Sequence, residues 1–292
     1  MMLGKSALSG NIIKSTSFEC SSLLEPSKTC VAESSEEEGE QRLVQAQPLE
    51  IPPFVTLGRR SRSISGSSSS DSRLAQEIAR SVLRQKLSHK RHLVLKGVLC
   101  PEYVTNLFET AIVPLFEPQQ VFYNGGIAQQ KEWKISCYLE VMDGGVPQVS
   151  NPHLALKAAC EPLLQACNTL FQMWYRQQHP GVNCTQVKRL MTFITRYTAH
   201  SKGEEALLKH IDGAGKVDGS LVVALPTDQP YQGGGLTFWD GKKQQQQQCQ
   251  EEIFYDTQCG DVAWIDRAVW HQANPITQGR RWALVIFYKV LN

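Results

Sequence analysis

Seven histidines occur in the chain, at positions 89, 92, 153, 179, 200, 210 and 271, and one of them has a carboxylate two residues away. His210-Ile211-Asp212 is the chain's single His-x-Asp or His-x-Glu. On an extended segment residues i and i+2 point to the same face, so this imidazole and carboxylate can grip one ion. His271 lies between a strand pattern, Asp261 to Ile265, and a turn marked by Pro275 and Gly279, a natural place for a third ligand from a neighbouring strand. Two histidines and one carboxylate on one face of an octahedral ion leave three positions open, which lets Fe(II) take a cosubstrate and O₂ together. Zinc prefers tetrahedral closure and suits the set less. A His-x-Asp alone is weak, because a single histidine is more often a satisfied polar side chain. Three further features at compatible spacing strengthen it: the strand start Gly233-Gly234-Gly235-Leu236-Thr237-Phe238, Gly260-Asp261 before a strand, and Arg281 ten positions after His271.

These residues need strands to position them, and the chain supplies strands in its last third. From Lys188 onward, short β-branched and aromatic segments alternate with Gly, Pro, Asp and Gln: Arg189 to Tyr197, Ser220 to Leu225, Gly235 to Trp239, Glu252 to Asp256, Asp261 to Ile265 and Trp282 to Val290. Upstream, Leu74, Ile78, Val82 or Leu83, and Leu87 recur at helical spacing, with Lys86, Lys90 and Arg91 at the end that suits the negative pole of a helix. Leu93 to Leu95 reads as a strand, and Pro101 opens a helix carrying Val104, Leu107, Phe108 and Ala111. Asn151-Pro152 predicts the N-cap and first residue of a third helix, which runs through Leu163, Leu164, Cys167 and Phe171. Helices followed by a run of strands predict an α+β fold with a sandwich or barrel core. The expected organisation is a disordered low-complexity tail over 1–71, a helical support region with the first strands over 72–187, and the strand-rich core over 188–292. Gln244 to Gln248 reads as a surface loop.

Composition excludes several classes. Lys and Arg number 30 against 28 Asp and Glu, so a net charge of +2 gives no electrostatic case for a nucleic-acid partner. The basic serine-rich piece from Arg59 to Ser63 reads as a solvated linker. Apolar runs such as Ala283 to Tyr288 fall well short of the roughly 18 residues of a membrane span. The N-terminal residues lack the apolar core of a secretory signal, so the expected location is intracellular, cytoplasmic or nuclear. Nine cysteines without CxxC spacing read as free thiols.

On these residues the sequence resembles the Fe(II)/2-oxoglutarate dioxygenase superfamily, and within it the prolyl 4-hydroxylase and lysyl hydroxylase-like branch. The resemblance covers about 92 to 290 and is sharpest from Arg196 to Tyr288. It implies a double-stranded β-helix (jelly-roll) core with supporting N-terminal helices, and Fe(II) held by His210, Asp212 and His271. It further implies that Arg281, rather than Arg280, pairs with the C5 carboxylate of 2-oxoglutarate, which a guanidinium matches with two parallel hydrogen bonds. Arg280 should point to the opposite face. Tyr197 is expected beside the cosubstrate. Two positions depart from the branch's pattern: Leu207 stands where many prolyl hydroxylases have Tyr, and Ala283 where others have a hydroxyl, so the residue assisting Arg281 is open.

The implied reaction consumes O₂ and 2-oxoglutarate, releases succinate and CO₂, and hydroxylates a protein or peptide side chain, prolyl or lysyl, with ascorbate as the reductant that rescues oxidised iron. The retained Asp212 argues against the halogenating relatives, which lose this carboxylate. Other readings are a non-catalytic binding module on the same scaffold, an oxygenase acting on a small molecule, and a nucleic-acid demethylase; the last is weakest, because Arg280-Arg281-Trp282 lacks the Arg-rich signature of that branch. Trp133, Tyr123, Trp239 and Trp270 are candidates to line a peptide cleft, although aromatics in a β-rich domain more often serve the core.

Overall fold

Residues 52–55, 83, 86, 87, 90–119, 121–123, 126–128, 133–141, 151–199, 207–239 and 252–291 are described by the computed structural model. The order is β1 (His92–Leu95), α1 (Pro101–Leu107), a π-helical turn (Phe108–Ile112), α2 (Val113–Leu115), β2 (Val121–Tyr123), β3 (Gly126–Ala128), β4 (Lys134–Glu140), α3 (Leu154–Gln178), β5 (Gln186–Thr198), β6 (Leu207–His210), a 3-10 turn (Asp212–Gly215), β7 (Gly219–Ala224), β8 (Gln232–Gly233), β9 (Leu236–Trp239), β10 (Glu252–Tyr255), β11 (Val262–Asp266), β12 (Trp270–Ala273), β13 (Ile276–Gln278) and β14 (Arg280–Leu291). The paired strands are antiparallel, in a six-stranded sheet ordered β1-β11-β7-β14-β5-β4 and a four-stranded sheet ordered β10-β9-β12-β6. Two two-stranded ribbons, β13-β8 and β2-β3, complete the set. The result is mostly antiparallel sheet with few helices.

β14 shows why the sequence folds this way. Its run Arg-Arg-Trp-Ala-Leu-Val-Ile-Phe-Tyr is almost continuously apolar because both faces are covered. Trp282, Leu284, Ile286 and Tyr288 belong to the core shared with α1 and α3, while Arg281, Ala283, Val285 and Phe287 face the opposite way, into a cavity. Period-2 alternation thus separates a packing face from a functional face on one strand. Helix α3 fills the packing side: Leu156, Cys160, Leu163, Leu164, Cys167, Leu170, Phe171 and Trp174 are all fully buried, a stripe at helical spacing. Phe171 stacks on Tyr288 with ring centroids 4.2 Å apart, and Trp264 on β11 donates its indole N–H to the Leu170 carbonyl at 3.3 Å. A second core lies between the two sheets, where Val222, Ala263, Ile265 and Ala283 meet Leu236, Phe238 and Ala273.

The structure departs from the sequence expectations in several places. Helix α3 starts at Leu154, and its N-cap is His153, whose Nδ1 accepts from the Leu156 N–H at 3.1 Å; Asn151-Pro152 lies two residues too early. Strand β4 and both ribbons were not expected, and the strand expected to carry His271 is β12, Trp270–Ala273. Pro52–Val55, inside the segment read as a tail, includes Phe54 stacked on Tyr103 at 3.9 Å and a buried Val55. Leu83 and Leu87 are buried and joined by a helical hydrogen bond of 2.9 Å; the rest of the helix expected from Ser72, the tail outside 52–55 and the polyglutamine loop lie outside the described residues. Six described cysteines are free, and burial pushes the Cys160 and Cys167 thiols up to about 12, so both stay protonated packing groups. Among the described residues, no helix is long and apolar enough to cross a membrane.

Candidate metal centre

Strand β12 runs antiparallel to β6 with His271 directly opposite His210, which brings the two imidazoles to a centroid separation of 4.4 Å. The extended segment expected through Asp212 ends sooner: β6 stops at His210, and Asp212 opens the 3-10 turn. Ile211 alone remains extended, with φ −114° and ψ 146°, and that one residue suffices to return the Asp212 side chain to the face of His210. The turn then requires Gly213, where φ is +59° and an added Cβ would meet the Val217 side chain at 2.5 Å.

One nitrogen or oxygen atom each from His210, Asp212 and His271 lie within 4.8 Å of one another. The His210 Nε2 is 3.5 Å from Asp212 Oδ1, and the His271 Nε2 is 3.4 Å from Asp212 Oδ2. Each ring's other nitrogen faces a backbone carbonyl: Nδ1 of His210 that of Leu208 at 2.8 Å, and Nδ1 of His271 that of Val269 at 3.2 Å. A carbonyl only accepts, so Nδ1 carries the proton and both Nε2 lone pairs converge on the carboxylate, as metal-ligating imidazoles require. Asp212 is held in turn by the Ser220 hydroxyl, which donates to Oδ2 at 2.5 Å. Burial alone would raise the Asp212 carboxyl, but His271, His210 and Ser220 outweigh it and hold the group below its ordinary range. Burial lowers His271, keeping it neutral, whereas the contact with Asp212 overcomes burial at His210 and raises it.

All five residues singled out in the sequence, His210, Asp212, His271, Tyr197 and Arg281, line one cavity of about 270 Å³. Arg281 is 3% exposed; its guanidinium lies 5.5 Å over the Tyr197 ring, and its buried Nε has no hydrogen-bond partner among the described residues. Arg280 faces away and pairs with Asp228 at 2.7 Å. Leu207 and Ala283 also line the cavity, so apolar groups occupy the two positions where the resemblance expected hydroxyls. The aromatic lining is not the one expected. Trp133 is buried against Tyr197, Trp239 lies under Lys209, and Trp270 is 42% exposed; none of the three borders the cavity, and the Tyr123 side chain lies outside the described residues. Tyr138, Phe193 and Phe287 line it instead, together with Lys134, which no motif in the sequence singles out because its placement depends on the pairing of β4 with β5.

The site suits the group that the resemblance implies. Two imidazoles and a carboxylate, each oriented by its own hydrogen bond, form the donor set of a divalent ion with open positions. The Arg281 guanidinium in the same cavity, its Nε unpartnered among the described residues, suits a planar carboxylate.

Comparison with known proteins matches part of the chain to one family model. Residues 192–289 match the model of the 2OG-Fe(II) oxygenase superfamily. No curated protein matches the sequence. Among solved structures the chain is similar to a 2OG-Fe(II) oxygenase family oxidoreductase from Burkholderia pseudomallei, at 16% identity, covering 73% of this chain and 92% of that one with a TM-score of 0.48. It is also similar to a Pseudomonas putida prolyl-4-hydroxylase, at 14% identity, 72% and 98% coverage and a TM-score of 0.49. A third is the epimerase SnoN from nogalamycin biosynthesis, at 11% identity, 73% and 83% coverage and a TM-score of 0.47.

Proposed function

We propose, from the premise that this chain is a 2-oxoglutarate-dependent dioxygenase of the 2OG-Fe(II) oxygenase superfamily, that it hydroxylates a prolyl or lysyl side chain of a protein. The observation that carries the reading is the convergence of His210, Asp212, His271 and the orphaned Arg281 on one cavity. In this reading the strands of 188–292 form a double-stranded β-helix, which β1 and β4 extend at the edges of the six-stranded sheet, and the helices of 72–187 support its outer face.

His210, Asp212 and His271 would hold Fe(II). The bound metal supplies activation of O₂, coupled to conversion of 2-oxoglutarate into succinate and CO₂. Arg281 binds the far carboxylate of the cosubstrate, and Tyr197 walls that end of the cavity beneath it. The Leu208 and Val269 carbonyls fix the tautomers of the two histidines, and Ser220 fixes the Asp212 carboxylate. Asp212 occupies the position a halide would need, which favours hydroxylation. Ascorbate is the proposed reductant that keeps the metal ferrous.

Cavity volume supports a side chain as the group oxidised. About 270 Å³ lies at the small end of ligand sites, which run to about 1,000 Å³, so a cosubstrate and one side chain fit while the bulk of a larger substrate stays outside. Tyr138, Phe193 and Phe287 give that space apolar walls.

The test is release of succinate from 2-oxoglutarate by purified protein with Fe(II), combined with mass spectrometry of a treated proteome for residues that gain one oxygen atom. His271→Ala should abolish succinate release, and unchanged turnover in that variant would refute the assignment. Oxygen gained by metabolites instead of peptides would move the substrate to a small molecule.

A further inference from the structure

The cavity holds a second cation that the metal centre and the cosubstrate leave unused. Lys134 on β4 is paired in register with Tyr197 on β5, and Tyr197 with Arg281 on β14. The three side chains therefore form one transverse row on the same face of the six-stranded sheet, and all three line the cavity. Two strand spacings of about 4.8 Å separate the ends of the row, so Lys134 stands roughly 10 Å from Arg281. The next row is Ser136, Thr195 and Ala283, all small, and the one after it Tyr138, Phe193 and Val285. A trough thus runs between a cationic edge and an aromatic edge.

Charge decides what the trough accepts. Among the described residues, Lys134 and Arg281 have no carboxylate partner, and Asp212 is the one carboxylate lining the cavity. Ferrous iron and a 2-oxoglutarate dianion cancel each other, and Asp212 offsets one of the two fixed cations. The loaded cavity is left with one positive charge, which favours an anionic group in the space that remains. Arg281 is the cation committed to the cosubstrate, since it is the more buried and its planar fork matches a carboxylate. Lys134, half-buried at the edge strand, is the one left over.

We propose that the Lys134 ammonium binds a carboxylate of the substrate, so that this enzyme selects molecules with an acid group near the carbon it oxidises. The inference rests on the dioxygenase reading above and adds the substrate's charge to it. Two peptide pools matched in length and apolar content serve as probes, one with Asp and Glu flanking prolyl and lysyl residues and the other with Asn and Gln there. Pools of small carboxylic acids and of their methyl esters accompany them. Binding to protein loaded with 2-oxoglutarate and Mn(II) in place of iron is followed by calorimetry, and stimulated succinate release is followed with Fe(II).

The acidic peptide or free-acid pools should bind and stimulate at least about tenfold better than their neutral counterparts. Lys134→Met should remove that preference while changing 2-oxoglutarate affinity by less than about twofold. Lys134→Arg, which keeps the charge, should restore much of the preference and controls for loss of fold. Equal responses to acidic and neutral pools, or no response to either, would overturn the inference while 2-oxoglutarate binding stays intact. A large loss of 2-oxoglutarate affinity in Lys134→Met would also overturn it, by making Lys134 a cosubstrate ligand. Absence of 2-oxoglutarate binding to the unmodified protein would overturn the dioxygenase reading itself, and this one with it.

Discussion

At the scale of single residues, the site works by leaving selected lone pairs and protons without partners. Arg281 illustrates the point: its buried Nε has no partner among the described residues, and the proposed reading gives its fork to the cosubstrate. Arg281→Lys keeps the charge and loses the fork, and should raise the KM for 2-oxoglutarate about tenfold or more, equivalent to about 1.4 kcal/mol, in steady-state assays of succinate release. An unchanged KM would remove Arg281 from the cosubstrate site. Ser220, which donates to Asp212, is a positioning residue, and partners of this kind are worth about 10- to 100-fold in metal affinity. Ser220→Ala should weaken Fe(II) or Mn(II) binding by that factor, measured by calorimetry. The His-x-Asp pair, His271 and Arg281 were legible because their residue types are rare and their spacing is regular. Ser220 and Lys134 were not, because serine and lysine are common and their roles arise only from strands far apart in sequence.

At the scale of elements, strands with regular alternation or apolar runs could be read and strands defined by pairing could not. β5, β7, β9, β10, β11 and β14 lie close to the expected segments. The bounds of β12 were not legible because Trp-His-Gln-Ala has little β pattern of its own and is held by its neighbours β9 and β6. The cap of α3 was misplaced because Asn-Pro is the commoner starting signal, whereas His153 does the capping here. The entry to β14 is tightly constrained: Gly279 has φ +72°, and an added Cβ would lie 1.8 Å from the Pro230 carbonyl oxygen. Gly279→Ala should therefore destabilise the protein by about 1–3 kcal/mol or more and weaken 2-oxoglutarate binding as well, since Arg281 follows two residues later; a thermal melt and a cosubstrate titration check both. Phe171→Ala, which removes the stack on Tyr288, should cost about 3–5 kcal/mol in denaturant unfolding without changing the metal ligands.

At the scale of the whole molecule, α3 and the six-stranded sheet are clamped by a charged cluster at the sheet edge. Glu140 on β4 accepts from Arg189 on β5 at 2.8 and 3.0 Å and pairs with Lys157 on α3 at 2.9 Å. Burial alone would raise the Glu140 carboxyl, but Arg189, Thr192 and Lys157 outweigh it and lower it below its ordinary value of 4.5. A group whose folded value is lowered contributes stability that is complete above its unfolded value and is lost as pH falls through the folded one. Stability of the protein should therefore drop as pH falls below about 4.5, and Glu140→Gln should show a shallower drop in urea titrations across that range. An identical pH slope in the variant would show that Glu140 has no part in acid lability. Nothing in the sequence suggested this cluster, which joins two strands and a helix.

One strand carries both packing residues and cavity-lining residues, on alternate positions. Sliding β14 by a single position against its neighbours would drive a guanidinium into the hydrocarbon beneath α3 and an indole into the ligand space. Mispairing is thereby made costly at the same strand that lines the cavity, so the alignment that completes the core also completes the cavity wall.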